Sequence, residues 1–214
     1  MTAYTGVFST QNGTEASFKL LGIGRCPHCS VATPNFNKLW SDTWTEMSQV
    51  RWASYRCNTC GSVVTARLAW RHPDRLDALN LWPSANMAHE DIPQPARRFL
   101  QQAFETLHAP DAAAVMAGSA VDAMLKTHDY VEGSLYSRID KALKDNLLTK
   151  GMADWAHEVR LGSNRPRHAD AEKPHVTSEE AKLSVEFAEA LGNFLFVLTA
   201  KIDRGIAAAK AAEV

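Results

Sequence analysis

Trp155-Ala-His-Glu-Val-Arg160-Leu-Gly-Ser-Asn164-Arg-Pro-Arg-His168-Ala-Asp170 is the stretch on which the reading of this chain turns. Met152, Trp155, Ala156 and Val159 recur at helical steps up to Arg160. Gly162 and Pro166 then interrupt the pattern, so a short helix is expected to end and a shaped loop to follow. Arg160, Asn164, Arg165, Arg167, His168, Asp170, Lys173 and His175 crowd that segment. An arginine offers a rigid fork to phosphate oxygens, and a histidine passes protons near neutrality. One expectation is therefore cleavage of RNA without metal. His168 would take the proton of a 2′-hydroxyl, Arg160 would steady the charge on phosphorus, and Asn164 would orient the phosphate or the imidazole. DNA lacks that hydroxyl and would resist. Arg165 and Arg167 are expected to hold the strand. The competing reading is structural: Arg160 bridges Asp170 or a partner helix's Glu158, Asn164 caps the helix, and His168 packs on Trp155. His157 is expected to be a core or capping residue.

Outward from this stretch the pattern is helical. Ala96, Phe99, Leu100, Ala103, Phe104 and Leu107 form one stripe of a first helix beginning at Pro95. A second helix opens at Asp111 and presents mostly small residues: Val115, Met116, Ser119, Ala120, Ala123 and Met124. A third follows Gly133-Ser134, with Leu135, Ile139, Ala142, Leu143 and Leu147 facing inward. Downstream, Thr177-Ser-Glu-Glu180 reads as a capping box that opens the last helix. Ala181, Ser184, Ala188, Leu191, Leu195, Leu198 and Ile202 should share its buried stripe, and Phe187, Phe194 and Phe196 widen the apolar face. A face that broad predicts a homodimer through this helix; the alternative is that Phe194 and Phe196 pack beneath the N-terminal module. The Ala-rich end from Ile206 is expected to fray.

Near the other end, Cys26-Pro-His-Cys29 and Cys57-Asn-Thr-Cys60-Gly61 are two C-x2-C hooks separated by 27 residues. Each tight turn can aim two thiolates at one ion, and two turns complete a tetrahedral site. All four positions are then filled by protein, so one structural Zn2+ per chain is predicted at Cys26, Cys29, Cys57 and Cys60. His28 is expected to stay exposed. Arg51–Arg56 and Val63–Leu68 read as the strands of a ribbon, with Gly61 supplying a positive φ. Trp40, Trp44, Trp52 and Trp70 are expected to pack the ribbon onto its neighbour; the sharper alternative is a stacking platform for bases. The predicted organisation is a zinc-ribbon module over 1–70, a proline-rich linker over 71–95 and an all-α bundle over 96–214.

Composition bounds the function. Apolar residues at 45% indicate a folded chain, and a net charge of −1 excludes a globally basic nucleic-acid binder, leaving only a local patch. No apolar run approaches the ~20 residues of a membrane span. The first residues lack the basic start and apolar core of a signal peptide. A cytoplasmic protein without membrane contact is expected.

The C-P-x-C…C-x-x-C-G ribbon, the proline-rich link, the Ile92–Leu107 helix, Asp111-Ala-Ala-Ala-Val, Ser134-Leu-Tyr-Ser-Arg-Ile139-Asp and the Trp155–His168 stretch together resemble the domain-of-unknown-function family 4145. The resemblance spans roughly residues 20–205. It implies a fold similar to the HEPN helical bundles, many of which are dimeric ribonucleases, and a place in restriction or phage-defence proteins. The sequence departs from the HEPN ribonuclease pattern. Seven residues separate Arg160 from His168, more than that pattern has, and Leu161 rather than a polar residue follows the arginine. The expected fold is thus mainly α, a HEPN-like bundle with a small N-terminal β zinc ribbon. The expected function is a nucleic-acid-associated defence module, either a metal-independent endoribonuclease or a non-catalytic adaptor in a larger assembly. RNA or DNA is its expected ligand.

Overall fold

The computed structural model describes residues 4–5, 23–42, 50–72, 75–168 and 172–212. They form two units, Met1–Asn86 and Met87–Val214, each with its own apolar core.

The first unit is an antiparallel sheet of β1 (Tyr4–Thr5), β2 (Phe36–Ser41), β3 (Val50–Cys57), β4 (Val63–His72) and β5 (Arg75–Trp82), in the order β1-β5-β4-β3-β2. Strict alternation builds it. Ala53, Tyr55 and Cys57 on β3, and Val64, Ala66 and Leu68 on β4, point into a core shared with Ile23, Phe36, Ala78 and Leu81. Burial pushes the Tyr55 hydroxyl up to about 12. The two strands expected around the second cysteine hook are β3 and β4. The sheet also reaches beyond residue 70: β4 runs to His72, and β5 lies inside the stretch expected to be a connector. The reason is that Ala78 and Leu81 bury two residues from that stretch in the same core. Trp40 and Trp52 are exposed rather than buried against a neighbour. Trp44 and the Trp70 side chain lie outside the described residues.

The second unit contains α1 (Gln94–Glu105), α2 (Pro110–Thr127), α3 (Leu135–Lys144), α4 (Lys150–His168), α5 (Ser178–Gly192), a π-helical turn (Asn193–Leu198) and α6 (Thr199–Ala211). α2 lies at the centre, touching α1, α3, α4 and α5. Ala113, Ala114, Ala117, Gly118, Ala120, Val121, Ala123 and Met124 are buried along it, which explains why its sequence shows no single polar face. Small residues set the spacing of its neighbours. A Cβ on Gly118 would lie 2.6 Å from Ser163 Oγ of α4, and one on Gly192 would lie 2.8 Å from Ile92 Cδ1. The Thr177–Glu180 capping box forms as expected, and a second one joins Ser134 and Ser137.

Two helices depart from expectation. α4 does not stop at Arg160 but continues to His168. Gly162 and Pro166 disfavour helix locally, yet Ser163 is 1% exposed where it packs on Gly118, and that packing outweighs propensity. Pro166 lies inside the helix and removes the amide that would bond the Gly162 carbonyl, a cost the same packing offsets. The last helix keeps Ala181, Ser184, Ala188, Leu191 and Leu195 inside, but Leu198 and Ile202 are about half exposed. The π turn fits an extra residue into one turn, so the buried stripe loses phase there. α6 has no buried residue and remains helical through Ala211, past the point expected to fray.

The continuous helix Ser178–Ala211 is long and apolar enough to cross a membrane by length and composition, contrary to the expectation of no such run. Phe187, Ala188, Leu191 and Leu195 of that helix belong to the bundle core.

Candidate functional site

The two cysteine hooks fold alike. The amides of Ser30 and Gly61 donate to the carbonyls of Cys26 and Cys57, each at 2.9 Å, and the amides of Cys26 and Cys57 donate to Val31 and Ser62. The residue that follows each hook adopts a positive φ, 58° at Ser30 and 73° at Gly61. The second turn is the β3–β4 connection itself. The four Sγ atoms lie within 4.8 Å of one another, and none is in a disulfide. A tetrahedral ion with thiolate bonds of ~2.3 Å needs sulfurs about 3.8 Å apart, and Cys26 Sγ is 4.0 Å from Cys60 Sγ. Burial raises the Cys26 thiol and pushes Cys29 up to about 12. Burial acts upward on Cys60 too, but hydrogen bonds with Ser62 and the other cysteines bring it down to about 7. Four thiolates this close repel each other, and a bound cation reverses that balance. The donor set suits a metal ion that needs no further ligand. His28 is exposed, as expected, and its Nε2 meets the Val63 carbonyl at 3.0 Å.

In the helical unit a cleft of about 810 Å³ opens between α1, α2, α3 and α4. Its polar lining comes from Ser119, Asp122, Lys126, Thr127 and Ser134, from Arg138, and from Arg160, Asn164 and Arg167. α4 supplies its three at positions i, i+4 and i+7, which one helix face presents together. Among the described lining residues Asp122 is the only carboxylate against four cations. Arg138 Nη1 donates to Asp122, and Lys126 Nζ lies 2.6 Å from it. Arg138 also donates to the Val131 and Gly133 carbonyls, tying the α2–α3 connection. Arg167 Nη2 donates to Ser119 Oγ at 3.0 Å. The Arg160 guanidinium stands 5.3 Å from the centre of the Tyr136 ring, and its buried Nε has no hydrogen-bond partner. Asp122 offsets one of the four charges, so the cleft presents an excess of positive charge to an anion. Its size suits a ligand of nucleotide dimensions.

The expected loop site is therefore divided. Arg160, Asn164 and Arg167 converge on the cleft. Arg165, turned away around the helix, pairs with Glu180 Oε1 at 2.9 Å in a second cleft between α4 and α5. His168 is exposed and does not line the cleft; eight residues of continuous helix put it about 12 Å along the axis from Arg160. His157 holds α3 to α4, with Nε2 3.1 Å from Asp140 Oδ1 and its ring on Tyr136. Asp170 lies outside the described residues. Lys126 and Arg138 were not singled out in the sequence; only the packing of α2 and α3 against α4 brings them to Arg160.

A family model described as "Domain of unknown function (DUF4145)" matches residues 100–208. This range takes in most of the helical unit and every α4 residue of the cleft. No curated protein and no solved structure matches the chain.

Proposed function

The chain belongs to the DUF4145 family, and from that premise we propose that it is a nucleic-acid-binding module of a restriction-type or phage-defence assembly. The observation that carries this reading is the cleft: three α4 side chains, Arg160, Asn164 and Arg167, are gathered with Lys126 and Arg138 around a single carboxylate. Such a surface takes phosphates from a strand, RNA in the first instance, through the guanidinium forks and the ammonium. Arg160 keeps a buried Nε–H without a partner, so its guanidinium is not spent on a contact within the bundle through that atom. Tyr136, half exposed beside it, offers an aromatic edge to a base.

On this reading the helical unit is a HEPN-like bundle that binds without cutting. Cleavage by Arg160 and His168 stands second. Arg160 and Asn164 share the cleft, which favours it, but the proton-transferring group would have to reach the same phosphate, and His168 does not line that space. The cysteine cluster holds one Zn2+, whose role is to fasten the two knuckles. A homodimer through the last helix is supported by the exposed ridge Phe194, Leu198, Ile202 and Ile206, spaced four residues apart. A cytoplasmic location accords with the four reduced cysteines.

The test is RNA binding and cleavage measured together in EDTA. Salt-sensitive binding with no cleavage supports the adaptor. Cleavage that disappears in His168→Ala promotes the ribonuclease reading over it.

A further inference from the structure

The outer face of the β-sheet carries a second assembly of residues that the cleft does not use. Pairing registers place Trp40, Ser54, Thr65 and Trp82 in one row across β2, β3, β4 and β5. The next row holds Trp52, Arg67 and Asn80, and the row on the other side holds Asn37, Arg56 and Val63. Trp40 is 55% exposed, Trp52 40% and Trp82 45%. Trp52 and Trp82 stack across β4 with ring centres 5.2 Å apart. A solvated sheet face needs none of this; one large exposed indole is unremarkable, three in adjacent rows are not.

The backbone is bent to place one of them. Lys38 pairs with Tyr55, but the next pairing joins Trp40 to Ser54, so β2 bulges at Leu39. With regular one-to-one pairing from Lys38, Trp40 would fall opposite Ala53, whose side chain points into the core. The bulge turns Trp40 onto the outer face.

Charge selects the occupant. Among the paired residues of these rows Arg56 and Arg67 are the charged ones; Asp42, which extends the Trp52 row through its amide's bond to the Trp52 carbonyl at 3.0 Å, is itself paired with Arg51 at 3.6 Å. A second copy docking face to face would bring like charges together. Bases alternating with phosphates suit planar rings set among guanidinium groups, because every base has a face to stack and each phosphate a cation to meet.

We propose that this face binds single-stranded nucleic acid, with Trp40, Trp52 and Trp82 stacking bases and Arg56 and Arg67 meeting phosphates. It is a site distinct from the helical cleft and stands or falls independently of it. Duplexes are poor ligands, since their bases are already stacked on one another.

The experiment uses the full, metal-loaded chain with fluorescein-labelled oligo(dT) and oligo(U), reading anisotropy for affinity and tryptophan emission for stacking. Binding should quench tryptophan emission. Trp52→Ala and Trp82→Ala should each weaken it by roughly tenfold. Trp52→Phe and Trp82→Phe should keep affinity within a few-fold while reducing the quench, and Arg67→Gln should lower the salt dependence. These conservative variants decide the matter should the alanine variants fail to fold. Trp155→Phe, which alters an exposed tryptophan of the helical unit, should leave the quench unchanged and so places it on the sheet. Oligo(dT) and oligo(U) binding alike means that the sugar is not read; a preference for one identifies the strand. The proposal is overturned by binding without quenching, by a duplex or poly-glutamate competing as well as the single strand, or by self-association that the alanine variants abolish.

Discussion

Gly118 of α2 and Ser163 of α4 meet so closely that a Cβ on the glycine would fall 2.6 Å from Ser163 Oγ and 2.8 Å from its Cβ. This contact fixes α4 against the central helix three residues beyond Arg160. It is the reason the helix runs on and carries Asn164 and Arg167 into the cleft.

Gly118→Ala is accordingly expected to destabilise the helical unit by roughly 1–3 kcal/mol, since a methyl must displace the buried Ser163. Gly151→Ala, with nothing within 4 Å of the new atom, should instead stabilise it by about 0.5–1 kcal/mol. Thermal unfolding of the two variants beside the wild type checks both signs.

Removing the zinc proposed for the four cysteines should loosen one unit and spare the other. Cys26 and Cys57 are buried members of the sheet's core, which shares no residue with the helical core. Strong chelation, or Cys57→Ser, is expected to expose the β3–β4 amides to hydrogen exchange while helical circular dichroism persists. Metal analysis of the untreated chain should return one zinc per chain.

Gly61 occupies open space at a φ of 73°, so a side chain there meets no neighbour and only the backbone objects. Gly61→Ala should cost roughly 1–2 kcal/mol of the folded sheet unit. The loss should surface as weaker retention of metal in a chelator competition.

Asp111, at the start of α2, accepts the Val176 amide and meets His175 Nδ1, each at 2.7 Å. The Val176 amide first, then His175, hold its carboxyl below its ordinary value of 3.8. A carboxyl lowered on folding contributes stability that is complete above its unfolded value and lost as pH falls through the folded one. The helical unit should thus lose this contribution only below about pH 4, and Asp111→Asn should flatten that acid limb. Denaturant titrations between neutral pH and pH 3 read the difference.

What the sequence disclosed and what it hid follow from the range of the forces involved. The cysteine hooks and the Thr177–Glu180 box were legible because each is a local arrangement of a few consecutive residues. The end of α4 was misread because Gly162 and Pro166 speak for local preference, whereas Ser163 answers to Gly118, 45 positions earlier. The site residues were found in part for the same reason. Arg160, Asn164 and Arg167 stood out by type, but a loop reading kept Arg165 and His168 with them, and only a helix separates them by rotation and rise. Ser30 shares the positive φ of Gly61 without being a glycine, so composition gave no sign of it. The exposure of Leu198 and Ile202 depended on a π turn, which a fixed helical period cannot express.

The central claim, that the α4 face at the cleft receives phosphates, is tested most directly by RNA affinity measured against salt. The variants are Arg160→Ala combined with Arg167→Ala, and Arg165→Ala alone. The paired substitution should weaken binding by roughly tenfold or more and reduce the slope of log K against log salt by about 1 for each phosphate no longer held. Arg165→Ala, on the opposite side of the same helix and already paired with Glu180, should leave both unchanged. Equal losses in the two proteins, or no loss in either, would contradict the account.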